Sequence, residues 1–384
     1  MRIPESYRGR EQAFFKHELL KAYLERLFMI VGQHQRTICY VDCFAGPWQA
    51  KDDDLEDTSI AVSLNIIRKC REGLLKLGKV VRFKAIFVEK NAKAFARLSN
   101  YLEARNEDGV EMVALNGEFI HLRQALLNRC GDDSFVFFFV DPTGWKEAVE
   151  LSTLDPLLRR PNSEFLINFM YDFLVRTHTQ ESFAEDMREI FGKVPNTEGL
   201  TPEEREEHLV ALYRRNLKTV APSSGGTPRT ACVRVHKVLQ DRTLYHLVYL
   251  TRHPKGITEF MAASDDLDLV QKKVRALAKQ EDRIEKSGQF EMFAAHEDVK
   301  EGDVRPDLSE VKAYWLTKLA SKSRRFDISD LADMLEETGW FASDFQKAFK
   351  ELEAEGRVKN QDAKRARPVN AVNFEKGEML VKTL

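Results

Sequence analysis

Four groups of polar residues stand directly after apolar runs of strand length, and their types suit the holding of a nucleoside. The runs are ICYV, FKAIFV, VEMVAL and SFVFFFV. After the first come Asp42, Phe44, Ala45, Gly46 and Pro47; after the second, Glu89, Lys90 and Asn91. After the third come Asn116, Gly117 and Glu118; after the fourth, Asp141, Pro142, Thr143, Gly144 and Trp145. If the runs are parallel strands of one sheet, these residues share its carboxyl edge, where nucleotide-like ligands sit in such folds. The small-residue turn at 44–47 lets backbone approach a ligand closely. Glu89 is placed to accept both hydroxyl hydrogens of a ribose, a charge-assisted pairing, and Asn116 and Gly117 to border an adenine. Asp141 can orient a nucleophile, which group transfer needs for an in-line approach; the alternative is an aspartate that caps the following turn. No one group is specific, and their order along the chain is what points to a pocket.

These residues need a sheet to bring them together. Residues 12–31 carry Phe15, Leu19, Leu20, Tyr23, Leu24, Leu27 and Phe28 at the spacing of an amphipathic helix. The four runs and a fifth, EFLINFM, are mostly separated by helical stretches, which implies a parallel sheet covered on both faces. ACVRVHKVL and LYHLVYL, joined by a short turn, read as an antiparallel hairpin. A parallel sheet finished by such a hairpin is the methyltransferase variant of the Rossmann architecture, and the absence of GxGxxG disfavours a nicotinamide dehydrogenase. The expected fold is therefore α/β, a Rossmann-like class I methyltransferase fold. Lys16 and His17 on the first helix are positioned either to reach a cofactor carboxylate or to face solvent. Asn168, Asp172 and Arg176 border the substrate side or lie on a solvated helix face.

The expected domains are a methyltransferase-like domain over 1–275, with a charged helical insertion at about 179–226, a linker over 276–306, and a winged helix-turn-helix over 307–384. The last rests on LSEVKAYWLTKLA, DISDLADMLEETG and SDFQKAFKELEAEGRV followed by alternating residues around VNAVNF. Its basic residues Arg357, Lys359, Lys364, Arg365 and Arg367, with Lys322, Arg324 and Arg325, are candidates for phosphate contact. Lys347 and Lys350 on the last helix stand beside Glu351, Glu353 and Glu355, a poor match to a phosphate backbone. A protein-binding role for this domain stays open.

With 59 lysine and arginine residues against 61 acidic ones in 384, no global charge draws the chain to a polyanion. Five scattered cysteines without a CxxC pair suggest neither a disulfide framework nor a metal site, and point to reduced thiols. A charged N-terminus and the lack of any span of ~20 apolar residues lead us to expect a cytoplasmic protein without a membrane segment.

HELLKAYLERLF, YVDCFAGP, FVEKNAKAFARL, LNGEF, FVDPTGWK, INFMYDFLVR and YLTRHPKGITEFM, in this order, resemble the three-Cys-motif partner (TcmP) family over about residues 12–265. The resemblance implies an S-adenosylmethionine cofactor, a winged-helix C-terminus, bacterial or phage origin, and a radical-SAM-type partner that carries the three cysteines. The family loop tends to FAGPG, whereas Trp48 here follows Pro47. DPTGW resembles in position the DPPY motif of amino-methyltransferases, which assigns Asp141 and Pro142 to a planar amine and Trp145 to stacking. The expected function is methylation of a nucleic acid or related base, DNA or RNA. The alternative is a catalytically silent adaptor binding DNA or a partner protein, which Trp48 favours.

Overall fold

The computed structural model describes residues 4, 7, 10–46, 58–105, 109–142, 148–176, 183–287, 305–364, 367 and 369–383. Pro47, Trp48, Trp145 and Arg365 lie outside them, as does the side chain of Arg176. The chain divides into two compact units, Met1–Arg252 and His253–Leu384.

In the first unit seven strands, β1 (Thr37–Asp42), β2 (Arg82–Glu89), β3 (Val110–Asn116), β4 (Phe135–Val140), β5 (Ser163–Phe169), β6 (Arg229–His236) and β7 (Thr243–Thr251), form one sheet in the order β3-β2-β1-β4-β5-β7-β6. The first five are parallel, and β7 runs antiparallel to both β5 and β6. This is the expected class I methyltransferase arrangement. Burial on both faces explains the unbroken apolar runs: every residue of β4 is buried.

Helix α1 (Glu11–Val31) covers one face, where Tyr23 packs against Phe137 and Phe28 against Phe83. Helix α2 (Ser59–Lys76) packs beside α1, capped by the Thr58 side chain. Helices α4 (Phe119–Cys130), α5 (Leu151–Leu158), α7 (Phe183–Phe191) and α8 (Pro202–Val220) bury Val41, Phe138, Phe165 and Val248 on the opposite face. Helix α3 (Ala92–Ala104) flanks the edge strand β3, and α6 (Tyr171–Arg176) follows β5.

On the α1 face Glu164 is a buried carboxylate inside an apolar strand, 5 % exposed. It receives the hydroxyls of Tyr23 at 2.8 Å, Tyr249 at 2.7 Å and Thr251 at 2.7 Å, and the two tyrosine hydroxyls also meet each other. Tyr245 adds a hydrogen bond to the Gln12 carbonyl at 2.7 Å. A helix from the start of the chain is thereby fastened to β5 and β7.

The second unit opens with a 34-residue helix, α9 (Pro254–Ser287), so the boundary expected at 275 falls inside a helix. Helices α10 (Leu308–Lys318), α11 (Ile328–Thr338) and α12 (Ala342–Ala354) and a sheet ordered β8-β10-β9 follow, with β8 (Arg324–Phe326), β9 (Val358–Asn360) and β10 (Glu378–Lys382). Trp315 is the centre of this core, ringed by Phe326, Phe345, Phe349 and Phe374, and its Nε1 donates to the Phe345 carbonyl at 3.0 Å. Asp327 and Asp330 form a capping box at the start of α11, and Gly339 ends it with φ +71°. Among the described residues no helix is long and apolar enough to cross a membrane.

Candidate functional site

Register decides which strand-end residues share a side. Tyr40 pairs with Ala85 and Phe137, Asp42 with Phe87 and Phe139, and Glu89 with Asn116. Side chains alternate along a strand, so Asp42, Glu89, Asn116 and Asp141 all fall on the α1 side of the carboxyl edge, on four adjacent strands. Asn168 on β5 continues the row.

Beyond Asp42 the chain stays within the sheet: Cys43 donates to the Phe139 carbonyl at 2.9 Å and Ala45 to that of Val88 at 2.8 Å. Gly46 then turns with φ +72°, a conformation suited to glycine. Phe44 packs against Phe119. At β2, the Glu89 Oε1 accepts the Asn91 N–H at 2.6 Å, and Asn91 caps α3. No other donor among the described residues meets this carboxylate. Lys90 is exposed. The Asn116 Nδ2 and the Gly117 N–H both donate to the Glu89 carbonyl, at 2.9 and 3.2 Å, tying the β3 end to the β2 end.

Asp141 is held from two sides. Its Oδ1 accepts the Asn168 Nδ2 at 2.7 Å, and its Oδ2 is ion-paired with Lys16 of α1. The Asn168 Oδ1 is buried without a partner among the described residues. Lys16, one helical turn into α1, thus reaches the strand-end row rather than open solvent. Its neighbour His17 is turned into the core, with Nδ1 2.9 Å from the Tyr7 hydroxyl. Burial, helped by Lys16, lowers the His17 imidazole to about 3, so the ring is neutral. Asp172 pairs with Lys237 at 3.2 Å and Arg242 at 2.9 Å on the hairpin. Pro142 is buried beside Asp141. Sequence reasoning passed over Ser59, whose hydroxyl donates to the Asp42 Oδ2 at 2.7 Å.

Asp42 is wholly buried, and burial, against the Ser59 and Phe44 hydrogen bonds, pushes its carboxyl up to about 7. The folded value lies above the unfolded one, so the stability of the neutral form is fully present below about pH 4 and lost as pH rises through about 7. Asp42→Asn mimics the neutral carboxyl. Its unfolding free energy relative to wild type is expected to grow by a few kcal/mol between about pH 4 and about pH 7 and then level off. Denaturant titrations across that range check this, and a difference independent of pH would reject the assignment.

A groove of 450 Å³ lined by Ser99, Leu102, Glu103, Met112, Val113 and Ala114 lies between α3 and β3 and takes no residue from the strand-end row. Among the described residues no cluster of His, Cys, Asp or Glu could hold a metal ion.

In the second unit Lys359 and Lys364 are exposed, and Arg357 is exposed 3.8 Å from Glu355. Arg367 has a different role from the phosphate contact expected of it. Its guanidinium grips Glu378 through two hydrogen bonds, at 2.6 and 3.0 Å. The same carboxylate also accepts from the Asn360 Nδ2 at 2.7 Å and the Asn373 N–H at 2.7 Å, which closes the loop between β9 and β10. A bidentate pairing of this kind fixes geometry and commits one edge of the guanidinium to Glu378. Arg324 is likewise engaged, by Asp330 at 2.6 Å and by the Phe326 ring.

Residues 279–365 match the family model described as the GMT-like wHTH domain. No curated protein matches the chain. Among solved structures the chain is similar to a Legionella pneumophila str. Philadelphia 1 protein of the DUF519 family, with TM-score 0.37 and 9 % identity over 68 % of this chain and 92 % of that one. It is also similar to loganic acid methyltransferase with SAH, with TM-score 0.26 and 11 % identity over 100 % of this chain and 98 % of that one. Overlaps at these scores assign no activity, and the fold of the first unit is read from its own strand order. The chain joins a methyltransferase-like α/β unit to a second unit that contains a GMT-like winged-helix domain.

Proposed function

We propose that the chain is an S-adenosylmethionine-dependent methyltransferase acting on a nucleic acid or a related base, with the winged helix as its nucleic-acid-contacting part. The observation that carries this reading is the row Asp42, Glu89, Asn116 and Asp141 on one side of four adjacent strand ends.

The donor set fits the cofactor. Glu89, with one oxygen steadied by Asn91, has the other for the ribose diol. Asn116 has committed its N–H to the Glu89 carbonyl and keeps its side-chain oxygen for the adenine amine. Gly46 and Gly117, both at positive φ, leave backbone without side chains beside the site. Lys16 supplies a cation for a carboxylate.

The sulfonium provides an activated methyl group and its own leaving group, so the protein's task is orientation. Asp141, fixed by Lys16 and Asn168, is the acceptor for an N–H or O–H of the nucleophile, with the Pro142 carbonyl beside it. Exposed Lys359, Lys364 and Arg357 would meet phosphates. The resemblance to the three-Cys-motif partner family adds a radical-SAM-type protein as partner.

A silent adaptor is the second reading, favoured by one observation: both Asp141 oxygens already have donors. Isothermal calorimetry with S-adenosylmethionine separates the two. On the enzymatic reading wild type binds, and Glu89→Ala binds roughly 10–100-fold more weakly, the worth of one to two charge-assisted hydrogen bonds. No heat of binding, with or without added DNA, rejects it.

A further inference from the structure

We propose that Cys232 is a reactive thiol, activated by His246 and Glu206, that forms a mixed disulfide with anionic low-molecular-weight disulfides. β6 is an edge strand, and Cys232 on it is half-buried rather than sealed. Cys232 pairs with Val248 and Arg234 with His246, so the thiol and the imidazole are diagonal neighbours on the α8 face of the hairpin. His246 is 3 % exposed. Its Nε2 lies 2.9 Å from the Glu206 Oε1, while its Nδ1 is buried without a hydrogen-bond partner among the described residues. Glu206 is itself fixed, receiving Thr243 at 2.8 Å and Arg234 at 2.9 Å. Tyr171 of α6 packs edge-on against the imidazole at 5.9 Å. Carboxylate, imidazole and thiol follow in the order that activates a nucleophile.

The charged groups facing the thiol are Arg214 from α8, Arg234 from its own strand and His246 from β7. Burial works against the thiolate, but these three outweigh it and bring the thiol down to about 7. His246 is raised against its burial by Cys232 and Glu206, so thiolate and imidazolium support each other. The other four thiols are all buried, and the one among them that is also lowered, Cys130, is lowered by its hydrogen bond with Cys39. Cys39 and Cys130 face each other at 3.4 Å inside the core, and Cys43 and Cys70 are buried with their thiols pushed up by desolvation. An electropositive, partly exposed setting is what makes a cysteine reactive, and three cationic neighbours favour a partner carrying carboxylates.

In the reaction the Cys232 proton passes to His246, and the thiolate attacks one sulfur of the disulfide. A bond forms between that sulfur and Cys232, the original sulfur–sulfur bond breaks, and its electron pair leaves on the second sulfur, which takes up a proton. Cys232 is oxidised and the departing thiol is reduced.

The test uses the full chain and 5,5′-dithiobis(2-nitrobenzoate), a dianionic disulfide. A single fast phase of thiol release is expected, with a rate that climbs with pH around about 7. The phase is absent in Cys232→Ser. In His246→Gln its midpoint moves up toward the ordinary thiol range, about 8.5. Rising salt slows this reaction but leaves that with the neutral bis(2-hydroxyethyl) disulfide unchanged. A fast phase that survives Cys232→Ser, or a midpoint unmoved in a folded His246→Gln, overturns the proposal. If His246→Gln exposes all the thiols at once by unfolding, the wild-type salt comparison decides, and equal salt responses of the two disulfides reject the site.

Discussion

On the proposed enzymatic reading, Asp141→Ala is expected to leave S-adenosylmethionine binding nearly unchanged while lowering methyl transfer by roughly 10²- to 10⁴-fold, the range a positioned acceptor supplies. The reason lies in how Asp141 is held. Asn168 meets one oxygen at 2.7 Å and Lys16 the other, so the carboxylate is aimed before any substrate arrives. A preorganised acceptor of this kind needs no rearrangement during the reaction. Asp141→Asn keeps the shape but places an N–H against either Lys16 or Asn168, and is expected to lose most of the same activity. Single-turnover transfer of a labelled methyl group to DNA and RNA, measured beside calorimetric binding, separates orientation from affinity. Transfer unchanged in Asp141→Ala would remove Asp141 from the mechanism.

The largest expected effect on stability comes from Glu164→Leu, on the order of 3–5 kcal/mol, the cost of removing one member of a buried polar network. The substitution removes the buried acceptor that the hydroxyls of Tyr23, Tyr249 and Thr251 share. Burial raises the Glu164 carboxyl, while the three hydroxyls and Arg252 pull it back. Glu164→Gln keeps an acceptor at the same place and is expected to lose only about 1–2 kcal/mol. Calorimetric melting of the full chain should show the first-unit transition lowered far more by leucine than by glutamine. Equal losses would mean that the network contributes packing alone.

The strand pattern and strand-end residues were legible because both are local. ICYV, FKAIFV, VEMVAL, SFVFFFV and EFLINFM each announce a strand, all but the edge strand VEMVAL largely buried, and the hairpin shows in two apolar runs around a turn. The partners of those residues were not legible, because they come from afar. Lys16 meets Asp141 across 125 positions, and nothing in the pattern of α1 distinguishes that lysine from one facing solvent. Arg367 reads as part of a basic cluster until Glu378, brought alongside by β10, takes both arms of its guanidinium. The Cys232 site was hidden in the same way, spread over β6, β7 and α8. The division at Arg252 was obscured by the continuous charged helix α9, whose pattern gives no sign of which unit it packs with.

The fastening of α1 to β7 also sets an order for synthesis. Tyr23 meets Tyr249 across 226 positions, and Gln12 meets Tyr245 across 233. A ribosome adding roughly 5–20 residues per second needs on the order of ten to several tens of seconds to make that stretch. Through this interval Tyr23 of α1 has emerged while the strand that carries Tyr249 has not. The nascent chain can therefore lay α1 on β2 and β4 early, but its fastening to the sheet through Tyr249 and Tyr245 waits until β7 leaves the exit tunnel.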